Sequence, residues 1–303
     1  MIARLITALA LCAAALAQAA GPVQKTFSSP EEGASALIDA LKANDDAALH
    51  AILGPRGVDL LQLRPQAEEK DRRERFVAAY ATSHRLVPQG DLRRVLQVGE
   101  DSWPFPIPLV DTGSGWRFDP QAGEREVLAR RIGRNELAAI QVCLTIGDAE
   151  HEYASTEWDN DQVLKYTSRF VSTPGRHDGL YWQSAESEPL SPLGPFVAGA
   201  GIDPGTGQSS LSRGPYYGYH YRILTRQGKN AKGGAYSYVA HGKMIGGFAV
   251  LAYPARYGYS GIKTFLVSQD GEVFEKDLGA NTRSIAQKIQ SFDPDASWTK
   301  PAR

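Results

Sequence analysis

One helical pattern in the middle of this chain constrains its fold more than any other feature. Between residues 124 and 153, apolar side chains recur at the spacing of one helix face. That face consists of Leu128, Ile132, Ala139, Cys143, Ile146 and Tyr153. Such a helix would be about 45 Å long at 1.5 Å per residue. Its first third is charged and its second third is apolar, which predicts that the helix joins two units of the protein.

Five strand candidates follow this helix. They lie at residues 217–224, 235–240, 248–253, 264–268 and 273–276. Gln269-Asp270-Gly271 predicts a hairpin turn between the last two. Residues 184–215 are rich in Gly, Pro and Ser, which predicts a long surface loop ahead of the strands. Residues 123–303 are therefore predicted to form a long helix packed on an antiparallel meander, an α+β unit.

The residues before the long helix predict a second, smaller α+β unit at 20–122. Ser29 and Pro30 followed by two glutamates are typical of a helix start. A further helix is predicted at about residues 69–82 from its apolar stripe. From Arg94 onward the pattern alternates, and a glycine-rich segment at 111–115 predicts a hairpin in a small antiparallel sheet.

The first 19 residues are typical of a secretory signal that is removed from the mature protein. Arg4 gives a positive start, an uncharged apolar run follows, and Ala17-Gln18-Ala19 matches the small-x-small cleavage pattern. We therefore expect the mature protein in the periplasm or secreted, with no membrane span. The net charge of −1 gives no basic excess, so nucleic acid is not an expected partner.

The chain has two cysteines, and only one of them follows the signal. Cys143 lies in an apolar helical stretch and is expected to be a buried packing residue. An intramolecular disulfide is excluded in the mature chain. Cys12 leaves lipidation open as an alternative, although Leu11 stands where a lipoprotein signal has a small residue.

Several segments of this sequence resemble the exported bacterial family known as domain of unknown function 2950. They are FSSPEE at 27–32, WPFPIPL at 103–109, GRNELAAIQ at 133–141, PGRHDGLYW at 174–182, MIGGFA at 244–249 and FDPDASW at 292–298. They occur in the order of the family and cover nearly the whole mature chain. The resemblance implies export, and it implies no particular activity.

A second resemblance concerns the carboxyl-terminal half alone. Asn135-Glu136 and the residues that follow to Tyr153-Ala154 are similar to the start of type IV pilin and pseudopilin head domains. Those heads also pack one long helix on an antiparallel sheet. The chain departs from them in having no prepilin peptidase site and a charged first third of the helix. The resemblance therefore implies a head-like fold and not assembly into a pilus.

Tyrosines provide the main candidate for a binding surface. Tyr217, Tyr219 and Tyr221 would share one face of a strand by the period of two, and Tyr257 and Trp182 are further candidates. Exposed aromatic rings suit sugars, peptides or partner proteins. The alternative is that these rings pack against the long helix.

A candidate acid–base group is formed by His177, Asp178 and His241. His177-Asp178 lies close to Trp182 and could orient a proton donor or acceptor. A turn after Pro174-Gly175 explains the same residues equally well.

Two further motifs are weak. Asp159 and Asp161 offer oxygen atoms at the spacing of a calcium loop, but Leu164 occupies the position of the glycine that such a loop needs. Asp111-Thr112-Gly113-Ser114 resembles the catalytic loop of aspartic proteases, but no second such loop occurs, and a hairpin turn also explains it. No motif indicates a cofactor.

Two hypotheses of function remain open at this point. The first is a non-catalytic envelope protein that binds a protein or glycan partner through its tyrosine-rich sheet and the 184–215 loop. The alternative is a periplasmic hydrolase acting on envelope material, with a site assembled only in three dimensions.

Overall fold

The computed structural model describes residues 24–61, 69–159, 162–184, 188–194 and 214–301, which form an α+β protein. The proposed signal, Asp161 and most of the 184–215 loop lie outside these residues. The chain divides into two compact units, with the division between Val127 and Leu128.

The helices of the first unit are α1 (Pro30–Ala43), α2 (Asp46–Leu61) and α3 (Glu69–Thr82). The side chain of Ser29 caps α1 by accepting a hydrogen bond from the Glu32 amide, and Pro30 occupies the first turn, as predicted. Helix α2 is interrupted at Gly54, whose φ of 70° is not helical. This glycine precedes Pro55, which has no amide hydrogen to donate to the preceding turn.

The sheet of the first unit is antiparallel. Its strands are β1 (His84–Pro88), β2 (Arg93–Val98), β3 (Trp103–Pro104), β4 (Leu109–Asp111) and β5 (Trp116–Phe118). The order is β1-β2-β4-β5, and β3 also pairs with β2. Helices and sheet share one core, which includes Leu37, Leu53, Leu96, Ile107, Leu109 and Phe118.

Helix α4 (Pro120–Tyr153) is the long helix expected from residues 124–153, and it begins four residues earlier. Asp119 explains the earlier start, because its Oδ1 accepts a hydrogen bond from the Ala122 amide at 3.1 Å. None of the helices in the described part of the chain is long and apolar enough to cross a membrane.

The second unit is built on a four-stranded antiparallel sheet. Its strands are β6 (Tyr219–Leu224), β11 (Ala249–Pro254), β12 (Lys263–Ser268) and β13 (Val273–Asp277). Their order in the sheet is β13-β12-β11-β6. Two short pairs accompany it: β7 (Arg226–Gln227) with β8 (Tyr236–Ser237), and β9 (Val239–Ala240) with β10 (Lys243–Met244). The hairpin predicted at Gln269-Asp270-Gly271 is confirmed by the antiparallel pairing of β12 with β13.

Helix α4 and the sheet contribute to one hydrophobic core in this unit. The helix supplies Ala139, Val142, Cys143, Ile146, Ala149 and Tyr153, and the sheet supplies Tyr219, Tyr221, Leu251 and Phe265 among others. Cys143 is fully buried, as predicted, and burial raises the pKa of its thiol.

Several elements differ from the sequence-based expectations. The strand predicted at 235–240 is divided into β8 and β9, which pair outside the four-stranded sheet. Strand β6 begins at Tyr219 and not at residue 217, because Tyr217 has a φ of 47° and lies in a turn. A short helix, α5 (Thr282–Lys288), was not predicted. Arg222 donates hydrogen bonds to carbonyls at the end of α5, including that of Ala286 at 3.1 Å.

Candidate functional site

A tight turn before β6 displays a tyrosine in a conformation that tyrosine rarely adopts. The Tyr216 amide donates to the Tyr219 carbonyl at 2.8 Å, and the Tyr219 amide donates to the Tyr216 carbonyl at 3.0 Å. The two residues between them, Tyr217 and Gly218, have φ values of 47° and 74°. Such two-residue turns favour Asn-Gly or Gly-Gly, because both central residues are left-handed. Tyr217 is nevertheless there, with 52% of its surface exposed.

This turn lies against the loop between β11 and β12. A Cβ atom on Gly218 would be 2.8 Å from Cβ of Ser260 and 2.9 Å from Nδ2 of Asn135, so only glycine fits at this position. Within the loop, the Ser260 amide donates to the Arg256 carbonyl at 2.9 Å, and the Gly258 amide donates to the Gly261 carbonyl at 2.9 Å. The turn and the loop are therefore two compact segments in direct contact.

Helix α4 holds the loop in place through two consecutive side chains. Asn135 Nδ2 donates to the Ser260 carbonyl at 2.9 Å. Glu136 Oε1 accepts hydrogen bonds from the amides of Ile262 at 2.8 Å and Lys263 at 3.0 Å. Both residues belong to the GRNELAAIQ segment, so that segment has a clear structural role here.

Two arginines lie over the ring of Tyr259 in this loop. The guanidinium carbon of Arg256 is 3.9 Å from the ring centroid, and that of Arg131, one helical turn before Asn135, is 4.7 Å away. In the part of the chain that the structure describes, no carboxylate lies within salt-bridge distance of either guanidinium. Tyr259 itself is 41% exposed.

We call Arg131, Tyr217, Arg256 and Tyr259 the tyrosine–arginine surface. Its formal charge is positive because of the two guanidinium groups. Burial, together with a hydrogen bond to Tyr217, raises the pKa of the neighbouring Tyr216 to about 12, so this phenol adds no negative charge at neutral pH. The arrangement offers N–H donors and aromatic rings to a ligand that carries negative charge.

The other tyrosines predicted for a binding surface are placed differently. Tyr219 and Tyr221 are 0% and 6% exposed, and their hydroxyls donate to the carbonyls of Lys263 and Tyr216. Both rings pack in the core of the second unit and present no face to solvent. Tyr257 is half-buried, and its hydroxyl donates to Asp277 at 3.2 Å.

Trp182 belongs to a group of four rings that we call the aromatic cluster: Tyr153, Trp158, His177 and Trp182. Ring centroids are 4.4 Å apart for His177 and Trp182, and 4.9 Å apart for Trp158 and Trp182. The Tyr153 hydroxyl donates to the His177 carbonyl at 2.7 Å. The indole N–H groups of Trp158 and Trp182 donate to the carbonyls of Tyr153 and Pro189. Trp182 is thus buried and fully engaged in packing.

The candidate acid–base residues are not brought together by any hydrogen bond or ring contact among the described residues. Both carboxylate oxygens of Asp178 accept hydrogen bonds from Thr173, one from its amide at 2.6 Å and one from its hydroxyl at 2.7 Å. Burial alone would raise the pKa of Asp178, but these hydrogen bonds lower it below its ordinary value. His241 is exposed in the turn between β9 and β10, with a φ of 51°. Asp178 therefore closes the turn after Pro174, and its carboxylate is not directed to His177.

The structure also shows the surroundings of Asp159 and Asp111, the described residues of the two weak motifs. Asp159 pairs with Lys165 at 2.7 Å, and its predicted companion Asp161 lies outside the described residues. Within the described ranges, no group of three or more His, Cys, Asp or Glu side chains is placed to hold a metal ion. Asp111 Oδ1 accepts a hydrogen bond from the Gly113 amide at 2.8 Å, which is the hairpin-turn explanation of that motif.

One buried carboxyl was not anticipated from the sequence. Glu150 on α4 is 0% exposed; its Oε2 accepts a hydrogen bond from the Thr167 amide at 3.0 Å, and its Oε1 has no hydrogen-bond partner among the described residues. Burial raises the pKa of Glu150 well above its ordinary value, and only the Thr167 hydrogen bond opposes this. Its charge in turn contributes, after burial, to raising the pKa of the neighbouring Tyr166.

The structure is thus a two-unit α+β protein, and its candidate surface is formed by aromatic rings and two guanidinium groups. Comparison with known proteins gives the family. The chain belongs to the family described as "Protein of unknown function (DUF2950)", which matches residues 24–300. No curated protein and no solved structure matches the chain significantly, so the resemblance to pilin heads is not confirmed.

Sequence reasoning identified Tyr217 but missed Arg131, Arg256 and Tyr259 as parts of one site. Arg131 is far from Arg256 and Tyr259 in the chain, and the contact of their loop with α4 brings the three together. A local signal did exist at Tyr217-Gly218, because a glycine between residues that pair with each other is typical of a tight turn.

Proposed function

We propose that this protein is an exported, non-catalytic binding protein of the cell envelope, and that it binds its partner through the tyrosine–arginine surface. The observation that carries the proposal is the pair of guanidinium groups over the exposed Tyr259 ring, with no carboxylate partner among the described residues. Arginine and aromatic residues are the types most enriched where partners bind.

The backbone of Tyr217 supports the same proposal. A left-handed conformation costs an L-residue about 1–2 kcal/mol. The Tyr217 ring contacts that of Tyr216 and otherwise remains largely exposed. Strained residues concentrate at functional sites, where the strain positions a side chain. Here the strained turn contacts the loop that carries Arg256 and Tyr259.

Export is supported by the first 19 residues alone. Their positive start, apolar run and Ala17-Gln18-Ala19 pattern favour cleavage after Ala19. Mass spectrometry of the protein recovered from its own envelope fraction tests this. A mature amino terminus at Ala20 supports export, a lipid-modified Cys12 replaces it with anchoring, and an intact Met1 in the cytoplasm contradicts it.

A pull-down of the tagged mature protein from its own envelope fraction tests the binding function. The wild type is compared with the double variant Tyr217→Ala/Tyr259→Ala and with Tyr236→Ala. Tyr236 is a matched control because it is 41% exposed, the same as Tyr259, and lies outside the surface.

We expect the double variant to lose the captured partner and Tyr236→Ala to retain it. Equal capture by all three proteins would contradict the proposal, as would loss in the control alone. The hydrolase alternative has no comparable observation in its favour, because the Asp178 carboxylate is engaged by Thr173.

A further inference from the structure

We propose that the ligand of the tyrosine–arginine surface is a carboxylate-bearing glycan, an inference that rests on the proposed function. Three properties of the surface lead to this ligand class: its unpaired guanidinium groups, its exposed ring and its closed backbone.

The guanidinium groups select for an oxyanion. Arg131 and Arg256 have no carboxylate within salt-bridge distance in the described part of the chain, and neither side chain donates a hydrogen bond to another described residue. The N–H donors of both guanidinium groups therefore have no protein acceptor among the described residues. A planar fork of such donors fits a carboxylate in a bidentate manner.

Tyr217 lies in the turn that contacts the loop carrying Arg256 and Tyr259; it is exposed, and its ring centroid is 4.5 Å from that of Tyr216. Gly218 contacts Ser260, and each of these residues directly follows a tyrosine of the surface, Tyr217 or Tyr259. An aromatic ring offers an apolar face with a polar hydroxyl at its tip, which suits the C–H face and hydroxyls of a pyranose. A sugar with a carboxylate would use the ring and the guanidinium groups together.

The backbone around the surface argues against an acidic peptide. Peptides are commonly bound by pairing their main chain with free amides and carbonyls of a sheet edge. Here the Tyr216 and Tyr219 amides bond to each other's carbonyls, and the Gly258 and Ser260 amides bond within the loop. Glu136 accepts hydrogen bonds from the amides of Ile262 and Lys263. Recognition is left to side chains, which favours a glycan.

Calorimetric titration of the mature, full-length protein tests this with three defined probes. Tetragalacturonate carries a carboxylate on each sugar, its methyl ester is the same glycan without charge, and tetraglutamate carries the charges on a peptide. We expect tetragalacturonate to bind about tenfold more tightly than either of the other two, because only it satisfies both the arginines and the ring.

Variants connect that binding to the surface. Arg256→Ala is expected to weaken tetragalacturonate binding about tenfold and Tyr217→Ala several-fold, whereas Arg226→Ala and Tyr236→Ala should leave it within about twofold. Arg226 and Tyr236 are exposed on β7 and β8, outside the surface. Equal binding of the methyl ester, equal binding of tetraglutamate, or no binding of tetragalacturonate would each overturn the inference.

The two proposals can fail separately. If the envelope pull-down depends on Tyr217 and Tyr259 but tetragalacturonate does not bind, the ligand class is wrong and the binding function stands. If the pull-down is unaffected by the double variant, the binding function itself fails.

Discussion

The second unit contains two groups of aromatic rings that use the same residue types for different purposes. In the aromatic cluster the rings stack on one another, and the polar atoms of Tyr153, Trp158 and Trp182 all donate to backbone carbonyls. In the tyrosine–arginine surface the Tyr259 ring contacts two cations, and Tyr217 is exposed with its ring against that of Tyr216. These polar atoms of the cluster have backbone partners, whereas the two guanidinium groups of the surface have no carboxylate partner among the described residues.

The difference shows that the backbone, and not the residue type, decides whether a tyrosine is buried or exposed. Tyr217 and Tyr219 are two residues apart, yet one is 52% exposed and the other 0%. Tyr219 begins a strand and faces the core, while Tyr217 occupies the left-handed position of the turn before it. Changes in the two regions should therefore affect different properties of the protein.

The largest effect is expected from Trp182→Ala in the aromatic cluster. Removing a buried indole should lower the free energy of unfolding by about 3–5 kcal/mol, because the cavity is lined by rings that cannot all move inward. Urea denaturation followed by far-UV circular dichroism measures this. Tyr217→Ala is the matched comparison and should not destabilise the protein by more than about 0.5 kcal/mol. Comparable losses for both variants would remove the distinction between the regions.

The second effect is a pH dependence of stability caused by the buried Glu150 of the second unit. Its pKa is raised in the folded state, so the folded protein holds a proton that the unfolded chain releases first. The contribution of Glu150 to the free energy of unfolding is therefore fully present below the ordinary carboxyl pKa. It decreases as the pH rises, by up to about 1.4 kcal/mol per pH unit, until the folded-state pKa of Glu150 is reached.

Glu150→Gln should remove this pH dependence and should be more stable than the wild type at pH 8. The glutamine keeps the oxygen that accepts the Thr167 hydrogen bond. Thermal unfolding of both proteins at pH 5 and pH 8 measures the difference. Parallel changes in the two proteins between these pH values would show that Glu150 is not the group responsible.

The smallest effect is expected from a change in the turn at Tyr217, and this change should raise the free energy of unfolding instead of lowering it. Tyr217→Asn should stabilise the protein by about 1 kcal/mol, because asparagine adopts the left-handed conformation more readily. The same change should weaken binding at the surface. Denaturation and pull-down on one variant test both statements. A loss of stability would mean that Tyr217 is held by packing and not displayed under strain.

Much of the fold could be predicted from local patterns in the sequence. Helix α3 was predicted at residues 69–82 and is observed at Glu69–Thr82, because one apolar stripe and its boundaries are enough to define a helix. Helix α4 was recognised in the same way, and four strands of the second sheet lie within one or two residues of their predicted starts.

The site was predicted only in part. The alternation of Tyr217, Tyr219 and Tyr221 favours one continuous strand, and this pattern does not show that the backbone turns at residue 217. The contact of Arg131 with Tyr259 depends on Asn135 and Glu136 holding a distant loop, for which local sequence gives no signal. Glu150 was missed because a charged residue on a helix is ordinarily exposed.

Photocrosslinking in intact cells tests the central claim most directly. A photoreactive p-benzoylphenylalanine is placed at position 217 in one strain and at position 236 in another, and the products are separated after irradiation. If the tyrosine–arginine surface binds an envelope component, position 217 gives a discrete adduct that position 236 does not. Adducts of equal yield from both positions, or none from position 217 in a correctly exported protein, would contradict the account.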